Sequence, residues 1–253
     1  MYRLTGAALA LVLVIAGGAG AALAAGSGTA AGSDTDKAAA ATSDRQVVVE
    51  LFTSQGCSSC PPADELLGRL ATHRGVIALG FHVDYWDYIG WKDSFGSPAF
   101  TKRQKDYART AGDRAVYTPQ MIIQGTDRVV GFKPNEVAAL IRLYRATPPI
   151  AQVTMARTGD MLTIEATAEH RFEAPALVEL VRYQPMRRVK ITRGENAGRA
   201  MDYHNIVTQL TRIGEWEGAG SYRAKVKIEG DDPAVLLIQA PGPGPIYGAA
   251  RVD

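Results

Sequence analysis

The chain has 253 residues with 28 basic and 26 acidic side chains, so its formal net charge is only +2. This balance excludes the strongly basic surface that binding to nucleic acid requires. Only two cysteines in a chain of this length exclude a small secreted scaffold held together by several disulfides, and the length allows one large domain or two small ones.

The first predicted element is a targeting signal. Arg3 precedes an uncharged run from Ala7 to Ala25, which ends in the small-x-small pattern that a signal peptidase recognises. Residues 1–24 are therefore predicted to be a signal peptide. The alternative is an uncleaved inner-membrane anchor, because the run could just span a bilayer of about 30 Å. Residues 25–45 have no periodic pattern of apolar residues and are predicted to be a flexible linker. Because either kind of N-terminal signal leads to export, the body of the chain is expected to be in the periplasm or secreted.

A strand, a helix and a second strand follow. Val47 to Phe52 is almost continuously apolar, as expected for a strand that is buried on both faces. After the two cysteines, one helical stripe is formed by Ala63, Leu66, Leu67 and Leu70. Val76 to Val83 has the pattern of another buried strand. This order predicts a βαβ unit with two parallel, neighbouring strands.

An aromatic segment and a polar helix come next. Residues 84–97 contain Tyr85, Trp86, Tyr88, Trp91 and Phe95. Ser97 and Pro98 have the residue types of an N-cap and a first helical position, and the helix that they start runs to about Ala111. Because most of its side chains are polar, we expect this helix at the surface.

A hairpin and a last helix complete the first half of the chain. Tyr117-Thr118-Pro119 precedes a strand at 120–124, and a glycine-containing turn leads to another strand at 128–132, which predicts an antiparallel hairpin. Pro134 begins a helix that Thr147-Pro148-Pro149 ends. These elements together predict an α/β domain at 46–147.

The hydrophobic period changes to two beyond Pro149. About eight short strands are indicated, with Gly, Pro and Asn turns between them, at 151–156, 161–168, 176–183, 187–193, 204–212, 222–228, 234–240 and 246–252. No helix is expected in this half. The pattern predicts an antiparallel β-sandwich domain at 150–253.

Cys57 and Cys60 are the only cysteines, and their spacing closes almost no loop, which makes them a weak structural staple. At the start of a helix, unsatisfied N–H groups and the helix dipole favour the thiolate of Cys57, which is the nucleophilic form. Cys60, one turn on, is positioned to resolve a mixed disulfide. A redox pair, a metal site and an inert disulfide remain alternatives.

The stretches ELFTSQGCSSCPPAD, FHVDYWDYIGWKD, YTPQ and GENAGR-x-MDYHNIV identify a resemblance to a bacterial secreted family catalogued as domain of unknown function number 1223. The order of elements over 46–147 resembles a thioredoxin fold, so the fold class expected is an α/β thioredoxin-like domain followed by an all-β sandwich-like domain. The resemblance implies that Pro119 is cis beside the cysteines and that Thr118 offers backbone groups to a bound peptide. The aromatic segment around Trp86 should overhang the same edge and suit an extended polypeptide.

Several other polar residues are candidates for tuning the dithiol. Thioredoxin-like proteins often bury an acid beneath the dithiol, and Glu50 is the candidate proton relay, although its spacing to Cys57 is one residue longer than usual. His82 and Asp84 end the second strand, on the same sheet edge as Cys57. A copper site formed by Cys57, Cys60 and His82 is the alternative, and a histidine that is simply satisfied within the fold is a third reading. In the second half, the loop Gly194–Arg199 and Asp202-Tyr203-His204 could contact the first domain.

The sequence therefore predicts an exported thiol–disulfide oxidoreductase that acts on protein thiols or disulfides, with exported proteins or a redox partner protein as its partners. No organic cofactor is expected, because the disulfide between Cys57 and Cys60 would itself be the redox-active group. The protein is expected not to bind nucleic acid and to meet a membrane only through an uncleaved anchor. The alternatives are a copper metallochaperone and a redox-inactive binding module. Whether the dithiol oxidises, reduces or isomerises its substrates depends on its reduction potential.

Overall fold

The computed structural model describes residues 46–253 and, for the backbone alone, residues 40–42. These residues fall in one compact unit, Lys37–Asp253. The predicted signal peptide and most of the predicted linker lie outside the described residues. Within the linker range, Ala40–Thr42 forms a short strand, β1. No helix in the described part of the chain has the length and apolar character needed to cross a membrane.

The βαβ prediction is confirmed. Strand β2 (Val47–Thr53) runs parallel to β3 (Val76–His82), with Val47 opposite Val76 and Thr53 opposite His82, and every residue of both strands is buried. Helix α1 (Pro61–Ala71) connects them and begins directly after the second cysteine. Alternate residues of β2 face opposite sides of the sheet, and α1 packs on one of these two faces.

The hairpin and the last helix are also present. Strand β4 (Gln120–Ile123) is antiparallel to β2, and β5 (Asp127–Val130) is antiparallel to β4. The turn between them uses left-handed backbone at Gln124 and Gly125. Helix α3 (Pro134–Ala146) follows. The strands of this region lie in the order β3-β2-β4-β5.

Helix α2 (Pro98–Thr110) begins as predicted, since the Ser97 hydroxyl accepts a hydrogen bond from the Ala99 N–H at 3.3 Å. The prediction that it lies at the surface is correct for one face, which includes the exposed Lys102, but some of the polar residues of the helix are buried. Arg103 is 6% exposed and Gln104 is 0% exposed, because both side chains find polar partners inside the protein. A polar pattern indicates a surface helix only when its polar groups have no partner except water.

The second half contains five strands where eight short ones were expected: β6 (Gln152–Thr158), β7 (Met161–Lys190), β8 (Ala200–Lys227), β9 (Ala234–Gln239) and β10 (Ile246–Val252). The expected break at 169–175 of β7, opposite 213–221 of β8, consists of register shifts between Ala168 and Arg171 and between Arg171 and Ala176, and pairing continues through the expected break at 184–186. Bulges of this kind insert polar, turn-like residues without ending the strand. The expectation that residues 150–253 contain no helix is confirmed.

The two halves share one mixed α/β architecture. Across the described residues, the strands form a ten-stranded sheet in the order β1-β6-β7-β8-β3-β2-β4-β5, with β9 beside β7 and β10 beside β9. Gly80 of β3 pairs with Ile206 of β8, and a side chain at Gly80 would lie 3.2 Å from the His204 carbonyl oxygen. One hydrophobic cluster includes residues from both halves, among them Val48 and Val235. The long β7–β8 hairpin is thereby held against the first half.

Candidate functional site

A disulfide between Cys57 and Cys60 lies where β2 leads into α1. Its sulfurs are shielded, since Cys57 is 2% and Cys60 0% exposed, whereas Ser58 and Ser59 beside them are exposed. An incoming thiolate must therefore displace covering side chains before it reaches Cys57, and Cys60 lies deeper.

The start of α1 differs from the sequence expectation in one respect. Pro61 and Pro62 have no N–H group, and the N–H groups of Ala63 and Asp64 both donate to the Cys60 carbonyl oxygen. Few free donors at the helix start remain for a Cys57 thiolate. The helix dipole and the Ser59 hydroxyl, whose oxygen lies 3.4 Å from the Cys57 sulfur, are the remaining stabilising groups.

The residues predicted to form a substrate groove come together beside this disulfide. The Ser59 hydroxyl donates to the Thr118 carbonyl oxygen at 3.5 Å, and the Trp86 indole N–H donates to the Thr118 hydroxyl at 2.7 Å. The Thr118–Pro119 bond is cis, as the resemblance implies. Tyr88 stacks on Trp86 and is 80% exposed. The disulfide therefore lies next to an exposed aromatic surface.

His82 forms a buried pair with Asp93, a residue that the sequence did not single out. Its Nδ1 lies 2.7 Å from Asp93 Oδ2, and the rings of Phe95 and Tyr203 enclose the imidazole. Burial disfavours the charged ring, but the charge and hydrogen bond of Asp93 outweigh it and raise the pKa of His82. Burial likewise acts against the Asp93 carboxylate, yet His82 and two backbone N–H donors outweigh it and lower the pKa of Asp93.

Asp64 is a second acid that the sequence did not single out. It is 4% exposed, and its Oδ2 has no hydrogen-bond partner among the described residues. Burial raises the pKa of this carboxyl to about 7, although the charge of nearby His82 opposes the rise. Because residues four apart on a helix are neighbours, Asp64 lies one turn from Cys60 on the same side of α1. A titratable acid thus lies one helical turn from the buried Cys60.

The tip of the β7–β8 hairpin closes the site from the second half of the chain. Asn196, which is 2% exposed, donates its side-chain N–H groups to the carbonyl oxygens of Gln55 and Cys57 at 3.0 and 2.9 Å. The Gln55 N–H also donates to Asp93 at 2.8 Å, and the Trp91 indole N–H donates to the Gln55 side chain. The loop that carries Cys57 is therefore fixed from three directions.

Glu50 and Asp84 lie in other networks. The Glu50 carboxylate accepts hydrogen bonds from Arg103 at 2.7 Å and from the Tyr107 hydroxyl at 2.5 Å. Asp84 accepts from the Thr101 hydroxyl at 2.5 Å. None of the bonds that the structure gives either carboxylate reaches a cysteine. Asp64, which sequence reasoning missed, is the acid closer to the dithiol along the chain.

The described residues contain no group of three or more His, Cys, Asp or Glu side chains that could hold a metal ion. The copper site considered as the alternative would use Cys57, Cys60 and His82. In the structure the two sulfurs form a disulfide with each other, and the His82 Nδ1 forms a hydrogen bond with Asp93.

Comparisons with known proteins place the chain among relatives without a stated activity. The sequence model described as "Protein of unknown function (DUF1223)" matches residues 48–239. The crystal structure of protein AGR_C_4864 from Agrobacterium tumefaciens is 32% identical, with 81% of this chain and 93% of that chain covered and a TM-score of 0.71. A structure of HBP35 of Porphyromonas gingivalis is 15% identical, with 82% and 74% covered and a TM-score of 0.58, a likeness of fold alone. No curated protein matches this chain.

Proposed function

The chain belongs to the family of proteins of unknown function DUF1223, and from the chemistry of its dithiol site we propose that it is an exported thiol–disulfide oxidoreductase acting on protein thiols or disulfides. One observation carries this proposal. The only two cysteines are bonded at the start of α1, with the titratable carboxyl of Asp64 one turn behind Cys60. A disulfide between residues three apart closes too short a loop to be an effective staple, and a buried acid with a raised pKa beside such a pair is a feature that functional sites share.

The proposed reaction is an exchange of two electrons between dithiol and disulfide. In the oxidising direction, a substrate thiolate attacks the Cys57 sulfur, the bond to Cys60 breaks, and the Cys60 thiolate takes a proton from Asp64. A second substrate thiolate attacks the substrate sulfur of this mixed disulfide, forms the substrate disulfide and releases Cys57 as a thiolate. In the reducing direction, the Cys57 thiolate attacks a substrate disulfide and releases one substrate thiolate. Cys60 then gives its proton to Asp64 and attacks the Cys57 sulfur of the mixed disulfide, which forms the Cys57–Cys60 disulfide and releases the second substrate thiolate. The reduction potential of the pair decides the direction.

The surroundings of Cys57 supply substrate positioning in this proposal. The Thr118 backbone, held near Ser59, offers hydrogen-bonding groups to an extended chain, and Trp86 with exposed Tyr88 offers apolar contact. Because Cys57 is shielded, binding must also move the side chains that cover it. A polypeptide bound along this surface can supply that displacement, which favours protein substrates over small thiols.

We also propose the finer fold assignment. The strand order β3-β2-β4-β5, with β2 and β3 parallel and β4 and β5 antiparallel to their neighbours, supports a thioredoxin-like arrangement of residues 46–147. A hydrophobic cluster that joins β6 and the first part of β7 to β9 and β10 supports a sandwich-like packing of residues 150–253. The signal-like sequence of residues 1–24 supports export to the periplasm or beyond.

The test is mixed-disulfide trapping. We expect that C60S, expressed with an export signal in a bacterium, accumulates adducts with exported proteins that reducing agent dissolves, because the resolving thiol is gone. C57S, the matched control, should trap none, because Cys60 is the deeper sulfur.

Two other results would contradict the proposal. The absence of adducts in C60S, together with no exchange of the purified protein with a disulfide-containing peptide, would leave a redox-inactive module. One equivalent of Cu(I) retained by the reduced protein and lost in H82A would indicate the metallochaperone instead.

A further inference from the structure

The tip of the β7–β8 hairpin concentrates positive charge. Residues 185–199, which we call the basic tip, contain five basic side chains and one acidic one. The whole chain has 28 basic and 26 acidic residues, so the rest of the chain has a net negative charge. All five cations are exposed: Arg187, Arg188, Lys190, Arg193 and Arg199.

Four of these cations have no partner of opposite charge within the described part of the chain. Arg188 pairs with Asp202 at 3.1 Å, and Arg187 donates to the neutral Gln184. Lys190, Arg193 and Arg199 are in no such bond. Their charge is therefore available to a molecule that approaches from solvent.

The fold fixes the basic tip against the dithiol loop. Buried Asn196 donates to the Cys57 carbonyl oxygen, and a side chain at Gly194, whose φ is +74°, would lie 3.1 Å from the Trp91 side chain. Arg193 and Arg199 are each three residues from Asn196, a span of at most about 11 Å of chain. That distance is comparable with the screening length of about 8–10 Å in physiological salt. Both cations therefore lie near the loop that carries Cys57, where they favour the approach of anionic groups.

We propose that the basic tip recognises acidic residues that flank the reactive cysteine of a polypeptide substrate. This inference rests on the proposed redox function and names its substrate class. Scattered exposed cations are ordinary on a solvated surface, but here the excess charge lies in the segment of the second half that holds the Cys57 loop. An anionic membrane is the other class of partner for a cationic surface. It fits less well, because lipid bound at the tip would cover the approach to the dithiol.

The test begins with peptides that cannot undergo exchange. A labelled peptide with Ser at its centre and Glu on either side is compared with one in which Gln replaces every Glu. We expect the wild-type protein to bind the Glu peptide about five-fold more tightly in low salt, the scale of two exposed ion pairs. High salt and the double variant R193Q/R199Q should each abolish this preference.

The matched control is R142Q/K225Q, which removes the same charge at two exposed positions on α3 and β8. It should keep the preference. Equal binding of both peptides by the wild type, or equal loss in the control variant, would overturn recognition by the basic tip. So would tighter binding to anionic phosphatidylglycerol vesicles than to the Glu peptide, if R193Q/R199Q abolished that vesicle binding.

Exchange with the corresponding disulfide-containing peptides separates this inference from the proposed function. Faster exchange with the Glu peptide, lost in R193Q/R199Q, supports both. Exchange at the same rate with the Glu and Gln peptides keeps the redox function and overturns the recognition. Preferential binding of the Glu peptide without any exchange supports recognition by the tip and overturns the redox function.

Discussion

Replacing Asp64 with Asn tests the buried acid on which the proposed proton transfer depends. A pKa raised from 3.8 to about 7 is a shift of about three units, and each unit corresponds to about 1.4 kcal/mol. Ionising Asp64 in the folded protein should therefore cost about 4 kcal/mol more than ionising it in the unfolded chain. The group is 4% exposed, so solvent screening reduces this figure little.

The sign of the effect follows from proton binding. Below the unfolded pKa, both states hold the proton of Asp64, and the favourable contribution of the neutral carboxyl is fully present. As pH rises toward about 7, the unfolded chain has lost the proton and the folded protein keeps it, so the free energy of unfolding falls. Above the folded pKa, both states are ionised and the contribution is lost. D64N has no proton to lose and lacks this fall.

The assay is denaturant unfolding of the oxidised protein at a series of pH values. We expect the free energy of unfolding of D64N, relative to wild type, to increase by about 4 kcal/mol between acid pH and pH above 7. Three other titratable groups interact with the Asp64 carboxyl: His82, Asp93 and Tyr203. Because both proteins contain them, they affect the difference in unfolding free energy between D64N and wild type mainly through their coupling to Asp64.

The matched control is E65Q, an exposed carboxyl on the neighbouring residue of α1, which should follow wild type at every pH. A difference between D64N and wild type that stays constant within about 1 kcal/mol, the error of extrapolation, would refute the reasoning. Asp64 would then titrate as an ordinary carboxyl and could not serve as the proton donor to Cys60.

The remaining predictions concern two of the polar contacts between the two halves of the chain. N196A removes two buried hydrogen bonds to the Cys57 loop, so we expect the free energy of unfolding by denaturant to fall by about 1–3 kcal/mol. We also expect faster reduction of the disulfide by dithiothreitol, and an unchanged reduction rate would contradict the view that Asn196 holds this loop in place. R103M leaves Glu50 and Glu179 buried without their shared cation, so we expect a loss of about 3–5 kcal/mol, which E50Q in the same chain partly restores. A decrease in unfolding free energy of less than about 1 kcal/mol would contradict this prediction, because it would mean that water solvates the two carboxylates when Arg103 is absent.

The local elements of the first half could be predicted from the sequence because each has a local cause. The apolar run of β2 and the Ser97 cap before α2 act within a few residues of chain, and the structure has both. The division of the second half into eight strands was wrong for the same reason. Bulges near Arg171 resemble turns locally, and only pairing with a partner strand decides that β7 continues.

The dithiol site could be predicted in part. Cysteine spacing and the resemblance indicated Cys57, Cys60, Thr118 and Pro119, and the structure brings the Thr118 carbonyl and Ser59 together. Asp64 was missed because a single Asp in the stripe of α1 has no visible partner in the sequence. Its signal was present, however, since Ala63 and Leu67 on either side predict that this part of the helix is buried.

Asp93 and Asn196 have no local signal, because their partners are distant in sequence: Asp93 bonds to His82, and Asn196 to Cys57. Both nevertheless lie within the stretches that carry the family resemblance, as does Asp64. The structure gives a physical reason for this coincidence. Those stretches come from separate parts of the chain and meet around one loop, where Asp93 accepts a hydrogen bond from the Gln55 N–H and Asn196 donates one to the Cys57 carbonyl oxygen. The second half of the chain is therefore part of the site, and the activity should be sought in the intact protein.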